Sequence, residues 1–214
     1  STTQNYNTVT LNDKLAATIS SVALASNNAT IAVTFTEAVY TTTGASTALI
    51  VGDFSLTISG GTATVSSATP TSISASGNVY TLGIGLSGTP DGSEVLTVKP
   101  VDNSSIYDAV GNASSTTQSN NTATLNDKAV PIISSVAVAA DNATVAVTIS
   151  ETVYNTNGGS GALEVGDFSL SISGGTATLS SATPSSISSS GNMYVVDTYN
   201  HLIRKITSAG VVTT

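Results

Sequence analysis

The sequence predicts an all-β protein built as two tandem antiparallel β-sandwiches, the second of them incomplete. Three observations predict it. Apolar residues alternate with small polar ones in short runs, the period of a strand with one buried face. Gly, Pro, Asn and Asp clusters punctuate these runs, and helix-period stretches are missing apart from one turn near residues 48–53. The chain also repeats itself 114 positions further on, so that residues 1–78 align without a gap to residues 115–192. A repeat of that length is a domain rather than one turn of a solenoid.

Composition bounds the function. The 214 residues fit two domains of roughly 100 each. Apolar residues make up 40% and alternate along the chain, so it is not disordered although only 8% is charged. Thirteen acidic residues against five basic ones give a net charge of −8. Phosphate binding needs a basic surface, so nucleic acid is a poor partner. Anionic membranes are equally poor, whereas divalent cations suit the balance. No run of 18 apolar residues exists, so no helical membrane span is expected. Ser1 opens with neither a charged nor an apolar leader region; a leader removed earlier and a longer parent chain are both open. Cys is absent, which excludes a disulfide scaffold.

The elements follow in order. Residues 1–14 read as a strand and linker that precede the first sandwich. Ile19-Ser20-Ser21-Val22-Ala23-Leu24 is a strand whose parity slips at the serine pair, which predicts a bulge. Ile31, Val33 and Phe35 form the apolar row of the next strand. Asp53, in the repeated Gly-Asp-Phe motif, caps a turn before a strand with Phe54, Leu56 and Ile58 inward. Gly60-Gly61 is a hairpin turn; no helix follows it, so it is not a phosphate loop. Tyr80, Leu82, Ile84 and Leu86 alternate in one run. Residues 94–99 form a further strand, 101–115 a long loop and 117–125 the last strand. The pattern then restarts, which places the first domain at 15–128 and the second at 129–214.

Simple antiparallel neighbours bring Asp13, Glu37, Asp102, Asp108 and Asn112 to the pole where the chain enters the first sandwich. These are hard oxygen donors, and carboxylates gathered together favour a cation, so calcium is the expected cofactor. The second copy keeps Asp127 and Glu151 as counterparts but lacks those of Asp102 and Asp108, so its site is weaker or absent. Turn capping is the competing account of the same residues.

Ile19-Ser20-Ser21-Val22, Val33-Thr34-Phe35-Thr36-Glu37-Ala38-Val39 and Ile106-Tyr107-Asp108-Ala109-Val110-Gly111-Asn112 together resemble the bacterial immunoglobulin-like repeats of large surface, adhesin and cell-motility-associated proteins. The resemblance covers the first domain and most of the second. It implies an immunoglobulin-like sandwich outside the cell, used as a spacer, fibre or adhesive stalk. Some such repeats bind calcium at domain junctions. For a stalk of this kind, cell-surface or glycan ligands are the expected partners beside further copies of the chain. The tail from Gly191-Asn192-Met193-Tyr194 through Asn200-His201-Leu202 to Ile206 resembles an NHL repeat, one blade unit of a propeller. One unit cannot close a propeller.

The second copy leaves the pattern after Asn192, and its last strand, the counterpart of 117–125, is missing. The amino-terminal residues are that strand: Thr8, Thr10, Leu11 and Asn12 match Thr122, Thr124, Leu125 and Asn126. An isolated strand leaves its backbone groups and one apolar row unpaired. The expectation is donor-strand complementation, in which this strand of one copy completes the second domain of the next. Thr3, Asn7, Val9 and Leu11 would meet Tyr194, Val196, Ile206 and Val211. Such a contact is head-to-tail and makes a homopolymer. A stalk fragment of a larger adhesin, with a propeller downstream, is the alternative. An enzyme is not expected, because His201 is the one histidine and no Cys accompanies it.

Overall fold

Serine pairs, Asn-Asn turns and alternating apolar residues set the first hairpin. The computed structural model describes residues 8–197, 205–206 and 212–213. Within it the chain divides into two compact units, Ser1–Ala129 and Val130–Thr214. In the first unit β1 (Ile19–Leu24) pairs antiparallel with β2 (Thr30–Phe35), and the register shifts between Ile19 and Ser21, the bulge that the serine pair predicts. Asn28 turns the hairpin at φ 60°, a left-handed conformation that Asn tolerates. The turn Val51–Asp53 follows, where an Asp53 carboxylate oxygen accepts the Ile50 N–H at 2.7 Å. The Gly-Asp-Phe motif is therefore the turn cap it was read to be.

The remaining strands of this unit are β3 (Phe54–Ser59), β4 (Thr64–Val65), β5 (Ile73–Ser76), β6 (Val79–Gly83), β7 (Leu86–Ser87), β8 (Val95–Pro100) and β9 (Thr122–Thr124). They form a four-stranded sheet β1-β2-β6-β5, a three-stranded sheet β3-β8-β9 and a short ladder β4-β7. The run 80–86, read as one strand, changes partner midway. β6 ends at Gly83, where a Cβ would collide with the hydroxyls of Thr71 and Ser72, and β7 resumes on β4. The last strand is also shorter than its sequence pattern, because at 118 a side chain does the pairing: Gln118 Oε1 accepts the Ile19 N–H at 2.8 Å.

The two sheets enclose one core. Ile31, Val33 and Phe35 of β2 face Phe54 and Leu56 of β3 and Leu96 and Val98 of β8, all buried. Phe35, Phe54 and Tyr80 form a triangle with ring centroids 5.8–6.3 Å apart. Such pairs add about 0.5–1.5 kcal/mol each beyond burial. The Tyr80 hydroxyl donates to the Val39 carbonyl at 3.2 Å, so the polar end of the ring is satisfied.

The second unit repeats the first sheet. β10 (Ile133–Val138), β11 (Thr144–Ile149), β12 (Ser186–Ser190) and β13 (Met193–Asp197) lie in the order β10-β11-β13-β12, the order of their counterparts β1-β2-β6-β5. The bulge recurs between Ile133 and Ser135, and Asn142 turns the hairpin at φ 57°. Residues 168–173, which differ from β3 only by Ser171 for Thr57, form no strand. Every residue of β3 is paired with β8, and the second unit has no counterpart of β8 among its described residues. β14 (Lys205–Ile206) pairs with β15 (Val212–Thr213) instead. Among the described residues the carboxy-terminal segment supplies the counterpart of β6 and none of β8.

Candidate functional site

Two copies of one sequence, folded to different extents, mark the open face. Ile19 is 1% exposed, and its copy Ile133 is 60% exposed. Phe54 and Leu56 are buried, whereas Phe168 and Leu170 are half-buried. Among the described residues the core of the second unit is small: Val147, Ile149 and Tyr194, with Phe168 and Ile187 among those packed against them. The amino-terminal strand shows the converse. Leu125 is 2% exposed and its copy Leu11 is 86% exposed; Val9 is exposed as well. Among the described residues a strand's apolar row and part of a sheet's apolar face are therefore more exposed than the same residues in the complete copy.

The expected interface residues fall in three groups. Val9 and Leu11 are on the surface. Tyr194 is not: it is buried within the second unit, its ring 5.9 Å from that of Phe168, in the place Tyr80 takes in the first. Thr3, Asn7 and Val211 lie outside the described residues, as do the side chains of Val196 in β13 and Ile206 in β14.

In the complete unit the last strand is fastened at its exit. Asn126 N–H donates to Asn28 Oδ1 at 2.9 Å, and Asn28 Nδ2 donates back to the Asn126 carbonyl at 2.7 Å. The Leu125 N–H donates to the Glu94 carbonyl at 2.9 Å. The repeat counterparts of this amide pair are Asn142 and Asn12.

At the other pole of the same unit Asp13, Glu37 and Asp108 each bring a carboxylate oxygen within 4.8 Å of the others. Asp108 is buried, and its oxygens accept the Val110 and Asn112 N–H groups at 2.9 and 2.8 Å and the Asn112 side-chain amide at 2.7 Å. Burial pushes the Asp108 carboxyl up, but the Asn112 amide and these backbone donors bring it below its ordinary value. Glu37 goes the other way, raised by burial and then by the charges of Asp108 and Asp13. The donors are hard oxygens, the chemistry a calcium ion prefers; the ion takes about six to eight oxygens, so carbonyls or water would add to these.

Asp102 is not in this group. β8 runs on to Pro100 opposite Phe54, and the Val101 N–H donates to the Asp53 carbonyl at 2.9 Å. Asp102 therefore sits by the Val51–Asp53 turn, accepts the Ser104 N–H at 2.7 Å, and its charge raises Asp53, after burial. Asp127 accepts the Ala129 N–H at 2.8 Å in the first unit, while Glu151 belongs to the second.

Sequence reasoning passed over a second fully buried acid, Glu94. It is 0% exposed, and one oxygen accepts the N–H groups of Thr62 and Ala63 at 3.0 and 2.9 Å while the other accepts those of Asp91 and Gly92, both at 3.1 Å. Burial alone would raise this carboxyl; the amides of Ala63, Glu94 itself, Asp91 and Thr62 outweigh it and hold it at about 2. The signal available in the sequence was an acid placed just after the turn Pro90-Asp91-Gly92-Ser93 and ahead of an alternating run.

No family model and no curated protein matches the chain. Among solved structures it is similar to the N-terminal part of the bacterial S-layer protein SbsC, with 22% identity over 66% of this chain and a TM-score of 0.35. The chain spans 36% of that structure. A superposition this partial assigns neither fold nor role. Among the described residues no helix is long and apolar enough to cross a membrane.

Proposed function

We propose that the chain is an extracellular structural protein that assembles head-to-tail, the amino-terminal strand of one copy covering the open face of the second unit of the next. The observation that supports it is the paired exposure just described: Leu11 at 86% against Leu125 at 2%, beside Ile133 at 60% against Ile19 at 1%. Covering such surfaces is favourable by about 25 cal/mol per Å² of apolar area. Asn12 and Asn142 would repeat the Asn126–Asn28 amide pair across the joint. A head-to-tail contact whose rotation does not close a ring extends into a filament. The role is mechanical, without catalysis.

Deleting residues 1–12 is expected to leave single chains under the electron microscope where the full chain gives filaments. Filaments that persist after the deletion, or a full chain that stays monomeric, would overturn the reading. The second outcome favours a stalk segment whose open unit is completed by the rest of a larger adhesin.

The carboxylates of Asp13, Glu37 and Asp108 would hold calcium at the entry of the first unit. Their convergence within 4.8 Å favours this. Calcium at a hundredfold excess over its dissociation constant should stabilise the first unit by about 2.7 kcal/mol. Asp108→Asn should abolish that gain. A melting midpoint that chelator leaves unchanged would exclude it.

A further inference from the structure

The loop that receives Glu94 occurs twice. Residues 59–64 and 173–178 are both Ser-Gly-Gly-Thr-Ala-Thr. Gly60 and Gly61 have φ of 78° and 58°, and Gly174 and Gly175 have φ of 78° and 67°. Successive backbone N–H groups held by such left-handed glycines form a concave anion receptor. In the first unit the receptor is filled: the Thr62 and Ala63 amides donate to Glu94 Oε1, and a Cβ on Gly61 would collide with the Glu94 carboxyl. In the second unit no heavy atom among the described residues lies within 4 Å of where a Cβ of Gly174 or Gly175 would sit. Ala63 is buried, and its copy Ala177 is exposed. The Thr176 and Ala177 N–H groups have no acceptor among the described residues.

Residues 198–214 contain no Asp or Glu, so they hold no side-chain carboxylate like that of Glu94. Residues 1–12 contain no acid either.

We infer that residues 173–178 are a carboxylate-recognition site for an acid-led strand supplied from outside the second unit. The partner segment is one that begins with Glu after a tight turn and continues with alternating apolar residues, the pattern of Glu94-Val95-Leu96-Thr97-Val98. The Glu carboxylate accepts the Thr176 and Ala177 amides, and the strand behind it pairs with residues 168–173 as β8 pairs with β3. Amides of the partner's own turn satisfy the second oxygen, as those of Asp91 and Gly92 do in the first unit. The inference deepens the assembly proposal and rests on its reading of the second unit as open. It adds that the strand next to residues 168–173 is acid-led, and that the amino-terminal strand takes the outer position held by β9 in the complete unit.

The probe is a synthetic peptide of residues 90–100, added to the full chain, with a peptide carrying Glu94→Gln as its control. Hydrogen exchange should slow at residues 173–178 with the Glu peptide, and the Gln peptide should bind at least about tenfold more weakly, the loss of one charge-assisted contact. Gly175→Asn, which keeps a left-handed conformation but adds a Cβ in the receptor, should remove the difference between the peptides. Equal affinity of the two peptides, no binding by either, or protection confined to other segments would overturn the inference. Filament formation by the full chain without peptide is scored separately, so either proposal can fail while the other stands.

Discussion

Replacing Glu94 with glutamine should destabilise the first unit by about 2–4 kcal/mol, although the change is nearly isosteric. The side chain is fully buried, and both carboxylate oxygens accept backbone N–H groups, from Thr62 and Ala63 on one hairpin and from Asp91 and Gly92 on the turn before β8. Glutamine keeps one acceptor oxygen and turns the other into a donor that faces donors. The two turns then lose the anion that joins them. The pH dependence has a definite sign. The folded carboxyl, at about 2, lies below its ordinary value of 4.5. A depressed acid contributes stability that is fully present above the unfolded value and lost as pH falls through the folded one. Wild-type thermal melts should therefore weaken from about pH 4.5 down to about pH 2 through this group, and the glutamine variant should lack that component. Equal acid sensitivity in both proteins would show that the carboxylate is not the group responsible.

Truncating the same aromatic in each repeat should give two different costs. Phe54→Ala should destabilise the first unit by about 3–5 kcal/mol, because it removes one corner of the Phe35–Phe54–Tyr80 triangle from a closed core. Phe168→Ala should cost about 1 kcal/mol, since that ring is half-buried and keeps one aromatic neighbour, Tyr194. Denaturant titrations of the two variants measure this directly. Comparable losses would mean that the second unit is closed in solution. In assembled material the Phe168 cost should rise towards that of Phe54, which gives an independent readout of the covering strand.

Much of the first unit was legible because its strands have one wet face. The row Ile31, Val33 and Phe35 and the bulge at the serine pair both follow from a period of two and its interruption. The Gly-Asp-Phe cap was legible because an Asp before a strand has few other local uses. Strand exchange between sheets was not, since Gly83 and Gly85 keep the alternation of 80–86 while removing the Cβ atoms that would hold the chain to one partner. Three acids and one amide of the entry pole could be placed together from strand direction alone. Asp102 could not, because its position depends on how far β8 extends along β3 before the chain turns. Glu94 was missed for a related reason: four amides from two turns converge on it, and none of them is signalled by side-chain pattern.

The near-identity of residues 54–59 and 168–173 sets up a competition while the chain folds. β8 meets two templates of almost the same sequence, each followed by the same Ser-Gly-Gly-Thr-Ala-Thr loop. The segment to be closed on the later template is roughly twice as long, and doubling a loop adds only about 0.6 kcal/mol of closure entropy. Chain separation alone thus discriminates weakly between them. The order of synthesis discriminates strongly, because β3 and β8 can pair before residues 168–173 leave the ribosome. Fidelity of the first unit is consequently a matter of timing, and refolding from denaturant, where both templates are present from the start, should yield more mispaired, exchanged chains than synthesis does.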